Sequence, residues 1–438
     1  MGSNGTQSTI EDVRYPAAQN AMRESTRPRA WRVIHACENA RDVLPVVEGQ
    51  VAAGMRPYIV TPQGEGSAEF YLAGRGEHQP LPLSLLRSWQ DVRNWRKSIL
   101  GCDPASSADI VHAHSFAAGM AAVRSIGGVV YDLDGCIEEL AIAAGQCEPG
   151  SWMARSFRVA EQFVLARAAA VIVHSTGMKA AAQERGAPTE GIFLIPDPLP
   201  QDDDLFLNKA GASEEFLRER LNLKEDAVTF FVAGFAGADR TELRPEDIVV
   251  LESFALAFAE NPDFFLLLEG EVAPALRSRI ADCASRLGIR NRVFIVEAED
   301  SALAWQIADV VVAGGALPHD PVSARHSNEL CLRALCLGKA LLAADIPRNR
   351  DISPEGRGCL WFEHGNVRDC AARVAFLGRN PGFRAALGTT GRAYLLETRN
   401  CSAIGKQYRE AYRYAFGRKR FTGPGTGMVS LQPAANWS

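Results

Sequence analysis

Four groupings of residue type and spacing in this 438-residue chain could do chemistry. His112 and His114 stand two apart in a β-branched run, so both imidazoles share one face of a strand. That geometry is compatible with a metal ion, but no third ligand is evident, and a core or cleft-lining pair is the plainer reading. Asp134 follows Val129-Val130-Tyr131-Asp132-Leu133, where it could orient a hydroxyl; its plainer role is to cap the helix expected near Cys136-Ile137-Glu138. Arg325 and Arg333 lie eight apart, and Arg240 and Arg244 follow Gly234-Phe235-Ala236-Gly237. Guanidinium forks match phosphate geometry, whereas the ordinary fate of such arginines is solvation or a structural ion pair. Ser327 or Asn328 can cap a helix that buries Leu330, Leu332 and Leu335, with Glu329 in its first turn. The N–H groups of that turn suit an anion, against the alternative of a simply capped helix. Gly234 and Gly237 lack a GxGxxG context and mark a tight turn more securely than a phosphate cradle.

These residues need elements to position them. Short β-branched runs at Arg32–Ala36, Pro57–Thr61, Ile110–His114, Gly128–Tyr131, Ala170–His174 and Gly191–Ile195 alternate with Ala- and Leu-rich helical patterns. A second series follows at Val228–Ala233, Phe264–Glu269, Arg292–Val296, Val310–Ala313, Ala340–Ala343 and Gly358–Phe362, with helices at Asp247–Glu260, Ala273–Leu287 and Asn328–Leu337. Between the series, Pro196-Asp197-Pro198-Leu199-Pro200 and the acidic Asp202-Asp203-Asp204 forbid regular strand pairing. The expected organisation is a disordered tail over 1–30, an α/β domain over 31–200 and a linker over 201–225. A second α/β domain over 226–395, a closing helix over 396–416 and a disordered end over 417–438 complete it. Both halves read as Rossmann-like, doubly wound domains facing across a cleft at the carboxyl ends of their strands.

Composition excludes several classes. Apolar residues make up 47% and charged residues 23%, which is globular usage, and the net charge of −5 supplies no global basic field for nucleic acid. Ten scattered cysteines without CxxC or Cys/His spacing fit a reduced cytoplasm and no structural zinc. No apolar stretch reaches the roughly 18 residues of a membrane span. Residues 84–100 read as a basic helix, with Leu85, Leu86, Trp89, Val92 and Ile99 near one stripe and Arg87, Arg93, Arg96 and Lys97 around it. Peripheral docking of that helix on a membrane competes with plain packing on the sheet.

Taken in order, Arg32-Val33-Ile34-His35-Ala36-Cys37-Glu38, Ala108-Asp109-Ile110-Val111-His112-Ala113-His114-Ser115, Ala168 to Ser175 leading to Leu194-Ile195-Pro196-Asp197, and Leu332 to Ala343 resemble blocks of the GT-B glycosyltransferases, specifically the retaining family 4. The resemblance covers residues 31 to 415 and implies transfer of a sugar from a nucleotide-diphosphate sugar to a glycan or lipid-linked acceptor, with no further cofactor. It implies an acceptor side near Asn39, Arg41 and His114, a reacting centre near Asp134, and a donor-diphosphate side at Gly234, Phe235, Gly237, Arg240, Arg325, Ser327, Asn328, Glu329 and Arg333. The familiar side chains are altered: Asn39-Ala40-Arg41-Asp42 lacks the family's adjacent glycines, Leu133-Asp134-Gly135 replaces a His-Gly, Gly234-Phe235 and Pro245 stand where Gly-Arg and Lys are usual, and Arg325 and Arg333 align with two glutamates. A diphosphate leaving group needs cations or fixed N–H donors, so one or two arginines are expected to replace the missing contacts.

Two readings compete. A catalytically silent relative could bind a nucleotide sugar or serve as a scaffold through the same cleft. Val129 to Gly135 also resembles the first motif of haloacid-dehalogenase-type phosphatases, with Asp132 as nucleophile, but Cys136 replaces the usual Thr and no later acidic pair follows a strand.

Overall fold

The computed structural model describes residues 30–61, 65–67, 89–102, 105, 107–199, 214–236, 240–270, 272–313 and 330–421. The N-terminal half contains strands β1 (Arg32–Ala36), β2 (Arg56–Val60), β3 (Glu65–Ser67), β4 (Ile110–Ala113), β5 (Val129–Asp132), β6 (Ala170–Val173) and β7 (Ile192–Leu194). Its helices are α1 (Ala40–Ala52), α2 (Trp89–Gly101), α3 (Phe116–Val123), α4 (Ile137–Ala143), α5 (Trp152–Arg167) and α6 (Thr176–Glu184). The second half contains α7 (Glu214–Arg220), β8 (Val228–Ala236), α8 (Pro245–Phe258), β9 (Phe264–Gly270), α9 (Pro274–Arg286), β10 (Val293–Val296), α10 (Ser301–Ile307) and β11 (Val310–Ala313). It continues through β12 (Ala340–Ala344), α11 (Pro347–Ile352), β13 (Cys359–Phe362), α12 (Val367–Arg379) and α13 (Pro381–Thr398), and α14 (Cys401–Phe421) ends the described chain.

Twelve of these strands coincide with expected ones to within a few residues. They build two sheets, ordered β3-β2-β1-β4-β5-β6-β7 and β10-β9-β8-β11-β12-β13. All pairings are parallel except β2 with β3, a short antiparallel edge the sequence reading lacks. Every residue of β4, β5 and β6 is buried, as a parallel sheet covered on both faces requires. Helices α2 to α6 cover one face of the N-terminal sheet, and α1 and α14 cover the other.

Helix α14 is the element that returns. It leaves the second half after Asn400, packs along α1, and buries Ile404, Tyr408, Ala411, Tyr412 and Ala415 against β1, β4 and β6. The approach is close: a Cβ at Gly405 would collide with Gly49 O, and one at Gly49 with Cys401 O. The helix runs five residues beyond the expected limit of 416. Phe416 packs edge-on against Trp31 at 4.9 Å between ring centres, and Arg418 lies over the Tyr414 ring; the rest of the expected disordered end, 422–438, lies outside the described residues.

The apolar stripe of the basic helix is also corrected. Val92, Trp95 and Ile99 of α2 are core residues, so the stripe packs inward on the sheet and the helix turns Arg93, Arg96, Lys97 and Leu100 outward. Residues 84–88 lie outside the described ones. Among the described residues no helix is long and apolar enough to cross a membrane.

Candidate functional site

Parallel pairing aligns the ends of four neighbouring strands, and there the chain gathers four of its eight histidines. His35 of β1 is in register with His112 of β4, and Ala113 with Tyr131 of β5, which sets His114 beside Asp132. His174 follows β6 on the next strand. Asp132 is the centre: His174 Nε2 lies 2.8 Å from its Oδ1, and His114 Nδ1 and His112 Nε2 lie 3.2 and 3.5 Å from its Oδ2.

The protonation of His174 follows from its partners. Its Nδ1 faces the carbonyl of Ile195 at 2.7 Å and its Nε2 faces the Asp132 carboxylate, both of which only accept. Both nitrogens therefore donate, and the ring is an imidazolium. Burial opposes this charge, but the attraction of Asp132 and Asp197 and the bonds to Asp132 and Asp134 hold the His174 pKa well above its usual value. Burial likewise works against the Asp132 carboxylate. The His174 charge and the N–H groups of His112, His114 and His174 outweigh it and keep the Asp132 pKa well below the carboxylate range. His35 and His112 follow burial instead: His112 is lowered to about 4, and His35 is held well below its usual value by burial and then by its imidazole neighbours.

A closed circuit of contacts surrounds this pair. From Asp132 Oδ2 it passes to His114, whose Nε2 lies 2.8 Å from His35 Nδ1, and from His35 Nε2 to Gln50 Oε1 at 2.8 Å. Gln50 Nε2 then donates to Tyr412 Oη at 2.7 Å, and Tyr412 Oη lies 2.9 Å from His112 Nδ1, which closes the circuit onto Asp132. The circuit has six links, while its neutral members supply one proton each and Asp132 none. Five protons for six links leave one contact of the circuit without a hydrogen bond. A metal is a poorer fit than protons. His35, His112 and His114 bring ring nitrogens within 4.8 Å of one another, so the sequence reading's missing third ligand is present. An ion taking His112 Nε2 and His114 Nδ1 would, however, leave five protons for four links and strand one buried donor.

The cluster is graded from closed to open. His35 and His112 are fully buried and Asp132 is 5% exposed, whereas His114 is 11%, His174 14% and Asp134 38% exposed. Asp134 Oδ1 lies 3.3 Å from His174 Nε2. Helix α4 begins at Ile137, and its N-cap residue Cys136 makes no side-chain cap bond. His174 also lines a cavity of about 440 Å³ between the halves, with Thr176 and Pro196 on its own side and Pro347, Arg350 and Asp351 opposite. The halves touch here: Asp351 Oδ2 accepts from Thr176 N–H at 2.9 Å and Thr176 Oγ1–H at 3.0 Å, capping α6 from across the cavity. Buried Arg399 donates to the carbonyls of Asp197, Asp351 and Ile352.

The loop bearing Asp134 is held from below by Glu161 of α5, whose Oε1 accepts the Ile137 N–H at 3.0 Å. Burial pushes this carboxyl up to about 7, against that bond and the attraction of Arg185. Folding thus takes up a proton between about pH 4.5 and 7, and the linked stability falls as pH rises through that window. Glu161→Gln keeps the acceptor and removes the titration. The variant is expected to match the natural protein at pH 5 and exceed it by on the order of 2 kcal/mol at pH 8 in denaturant unfolding.

The remaining expected site residues lie elsewhere. Asn39 precedes α1 and Arg41 is in its first turn. Gly234 lies in β8 and Phe235 is buried. Arg240 is a clamp of the loop after β8 rather than an open phosphate fork: it bonds Phe235 O at 2.5 Å, Glu242 O at 3.3 Å and the Asp247 carboxylate. Arg333 is half-buried in the helical turns over 330–336, 5.9 Å from the Trp305 ring centre. Gly237, Arg325, Ser327, Asn328 and Glu329 lie outside the described residues. Asp132, read as a phosphatase nucleophile, is instead covered by three imidazoles. Sequence reasoning missed His35, Gln50, His174, Tyr412, Arg350, Asp351 and Arg399; histidine at the ends of three separate β runs was the available signal.

Residues 39–198 match the model of the glycosyl transferase 4-like domain. A glycosyltransferase from Rickettsia africae superposes with a TM-score of 0.62 at 15% identity, over 89% of this chain and 99% of that one. Sucrose-phosphate synthase from Thermosynechococcus elongatus gives 0.57 at 18% identity, over 89% and 100%. Anabaena HepE in complex with UDP and glucose gives 0.55 at 15% identity, over 87% and 99%. No curated protein matches the chain in sequence. The two parallel sheets with their flanking helices are the GT-B architecture of these neighbours.

Proposed function

We propose that this chain, a GT-B protein whose residues 39–198 form a glycosyl transferase 4-like domain, transfers a sugar from a nucleotide-diphosphate sugar to a glycan or lipid-linked acceptor with retention at the anomeric carbon. The observation that carries the reading is the cavity between the halves. One wall is the Asp134–His174 edge of a charged, preorganised cluster, and the other bears the Arg350 guanidinium. An acceptor hydroxyl fits beside Asp134, whose carboxylate can accept its hydrogen bond while the fixed imidazolium of His174 holds that carboxylate in place. The donor belongs to the second half. Its diphosphate leaves with growing negative charge, which Arg333, Arg350 and the expected turn at 327–329 can offset. The bond from the anomeric carbon to the phosphate oxygen breaks as the bond to the acceptor oxygen forms on the same face. The acceptor's proton passes to the departing phosphate oxygen, so no protein base is required. A cytoplasmic setting with an acceptor at the membrane surface fits this chemistry.

Purified protein incubated with UDP-, GDP- and ADP-sugars and candidate acceptors is expected to release nucleotide with one donor. In Asp134→Asn, kcat should fall roughly 10²-fold with donor KM little changed. Nucleotide binding without turnover across the whole panel would establish the silent relative instead.

A further inference from the structure

The face of the N-terminal half made by α2, α3 and α5 has a chemistry that the cleft does not use. Helix α3 is built almost wholly of small residues and lies deep between its neighbours, which leaves a groove above it of about 430 Å³. Met120 and Arg124 line one side and Arg155, Val159, Ala160 and Phe163 the other. The layer also exposes apolar side chains where a soluble helix is normally polar: Trp152 is 74%, Val159 64% and Met153 36% exposed on α5, and Leu100 is 46% exposed on α2.

Among the described residues the exposed charge of the three helices has one sign. Arg93, Arg96 and Lys97 of α2 and Arg155, Arg158 and Arg167 of α5 are exposed. The acidic residues of the three helices are Asp91, half-buried, and Glu161, fully buried. Arg158 is held by Glu138, and Arg167 lies 3.8 Å over the Phe163 ring, an amphipathic pair at the groove's edge. A chain of net charge −5 thus concentrates cations around exposed Trp, Val, Leu and Met on one layer.

We infer that this face is a docking site for an anionic lipid bilayer, with α5 lying along the surface. Trp152 takes the interfacial position an indole favours, Val159 and Leu100 enter the acyl boundary, and the arginines and Lys97 meet lipid phosphates. The chain direction gives the docking an orientation. Helix α5 leads into the amino end of β6, so its own start, with Trp152 and Met153, lies toward the strand ends that carry Asp134 and His174. A protein docked in this way holds its cleft edge at the membrane surface.

Sedimentation of the full chain with vesicles tests the site without substrate, so its outcome is separate from that of the turnover assay. Binding is expected to vesicles of phosphatidylcholine with phosphatidylglycerol, to weaken with added salt, and to be lost with phosphatidylcholine alone. Lys97→Glu with Arg155→Glu should weaken partition at least roughly tenfold, and Trp152→Ser with Val159→Ser should abolish it. All four positions are exposed, and unchanged circular dichroism and thermal unfolding would verify the fold. Phe376→Ser with Phe383→Ser, exposed on the second half, should change nothing. Binding that ignores lipid charge, that survives both α5-face variants, or that is replaced by self-association lost in those variants overturns the inference.

Discussion

Asp132→Asn should cost about 3–5 kcal/mol of stability and remove turnover, the largest loss expected from any single isosteric change in this protein. The carboxylate is what makes the His174 imidazolium tolerable in a nearly closed site, and an amide would turn a donor toward ring N–H groups that need an acceptor. The pH dependence identifies the cause. In the natural protein the raised His174 pKa gives stability present below about 6.5 and lost as pH rises through the folded value. The depressed Asp132 pKa gives stability present above about 3.8 and lost only as pH falls through its lower folded value. Without the carboxylate, burial becomes the dominant influence on His174, which then resembles His112 and resists protonation. The deficit of the variant should therefore widen as pH falls from 7.5 to 5.5. A deficit under about 1 kcal/mol that is flat over this range would show that the pair is not ionised as described.

Gly405→Ala is expected to lose more than about 3 kcal/mol, although alanine is the better helix former by about 1 kcal/mol. The added methyl meets Gly49 O, a backbone atom on a packed helix that cannot turn aside, so α14 must lift from α1. Lifting it withdraws Tyr412 from Gln50 and His112 and uncovers Val33, Ile110 and Ile172. Gly417→Ala on the same helix meets nothing within 4 Å and should stabilise by up to about 1 kcal/mol. Opposite signs at two glycines of one helix, read by urea unfolding, separate packing from propensity; a neutral Gly405→Ala would mean that the helices are not in backbone contact.

The strands were legible because β-branched runs announce parallel sheet residue by residue, and twelve of thirteen were readable. β3 was not, since Glu65-Gly66-Ser67 is an edge pairing with no apolar pattern. The site was legible only in pieces. His112 and His114 are two residues apart and pointed to each other, but Asp132 reaches them only through strand order, and Gln50 meets Tyr412 across 362 residues. Arg240 shows why the donor side was harder to read: a guanidinium after a glycine-rich turn suits a phosphate and a loop carbonyl equally, and here Asp247 is placed to hold it. The ordered family blocks carried the fold further than any single side chain could, and the match over 39–198 agrees with them.

The return of α14 sets an order of events during synthesis. The half that emerges first is finished last, because a face of its sheet stays uncovered until residues 401–421 have been made. At about 5–20 residues per second, the stretch between β7 and α14 imposes a wait on the order of tens of seconds. During that interval the nascent N-terminal half presents a β-rich apolar surface to whatever escorts it. Moving α14 ahead of β1 by circular permutation would let that half close as soon as its own last strand appeared.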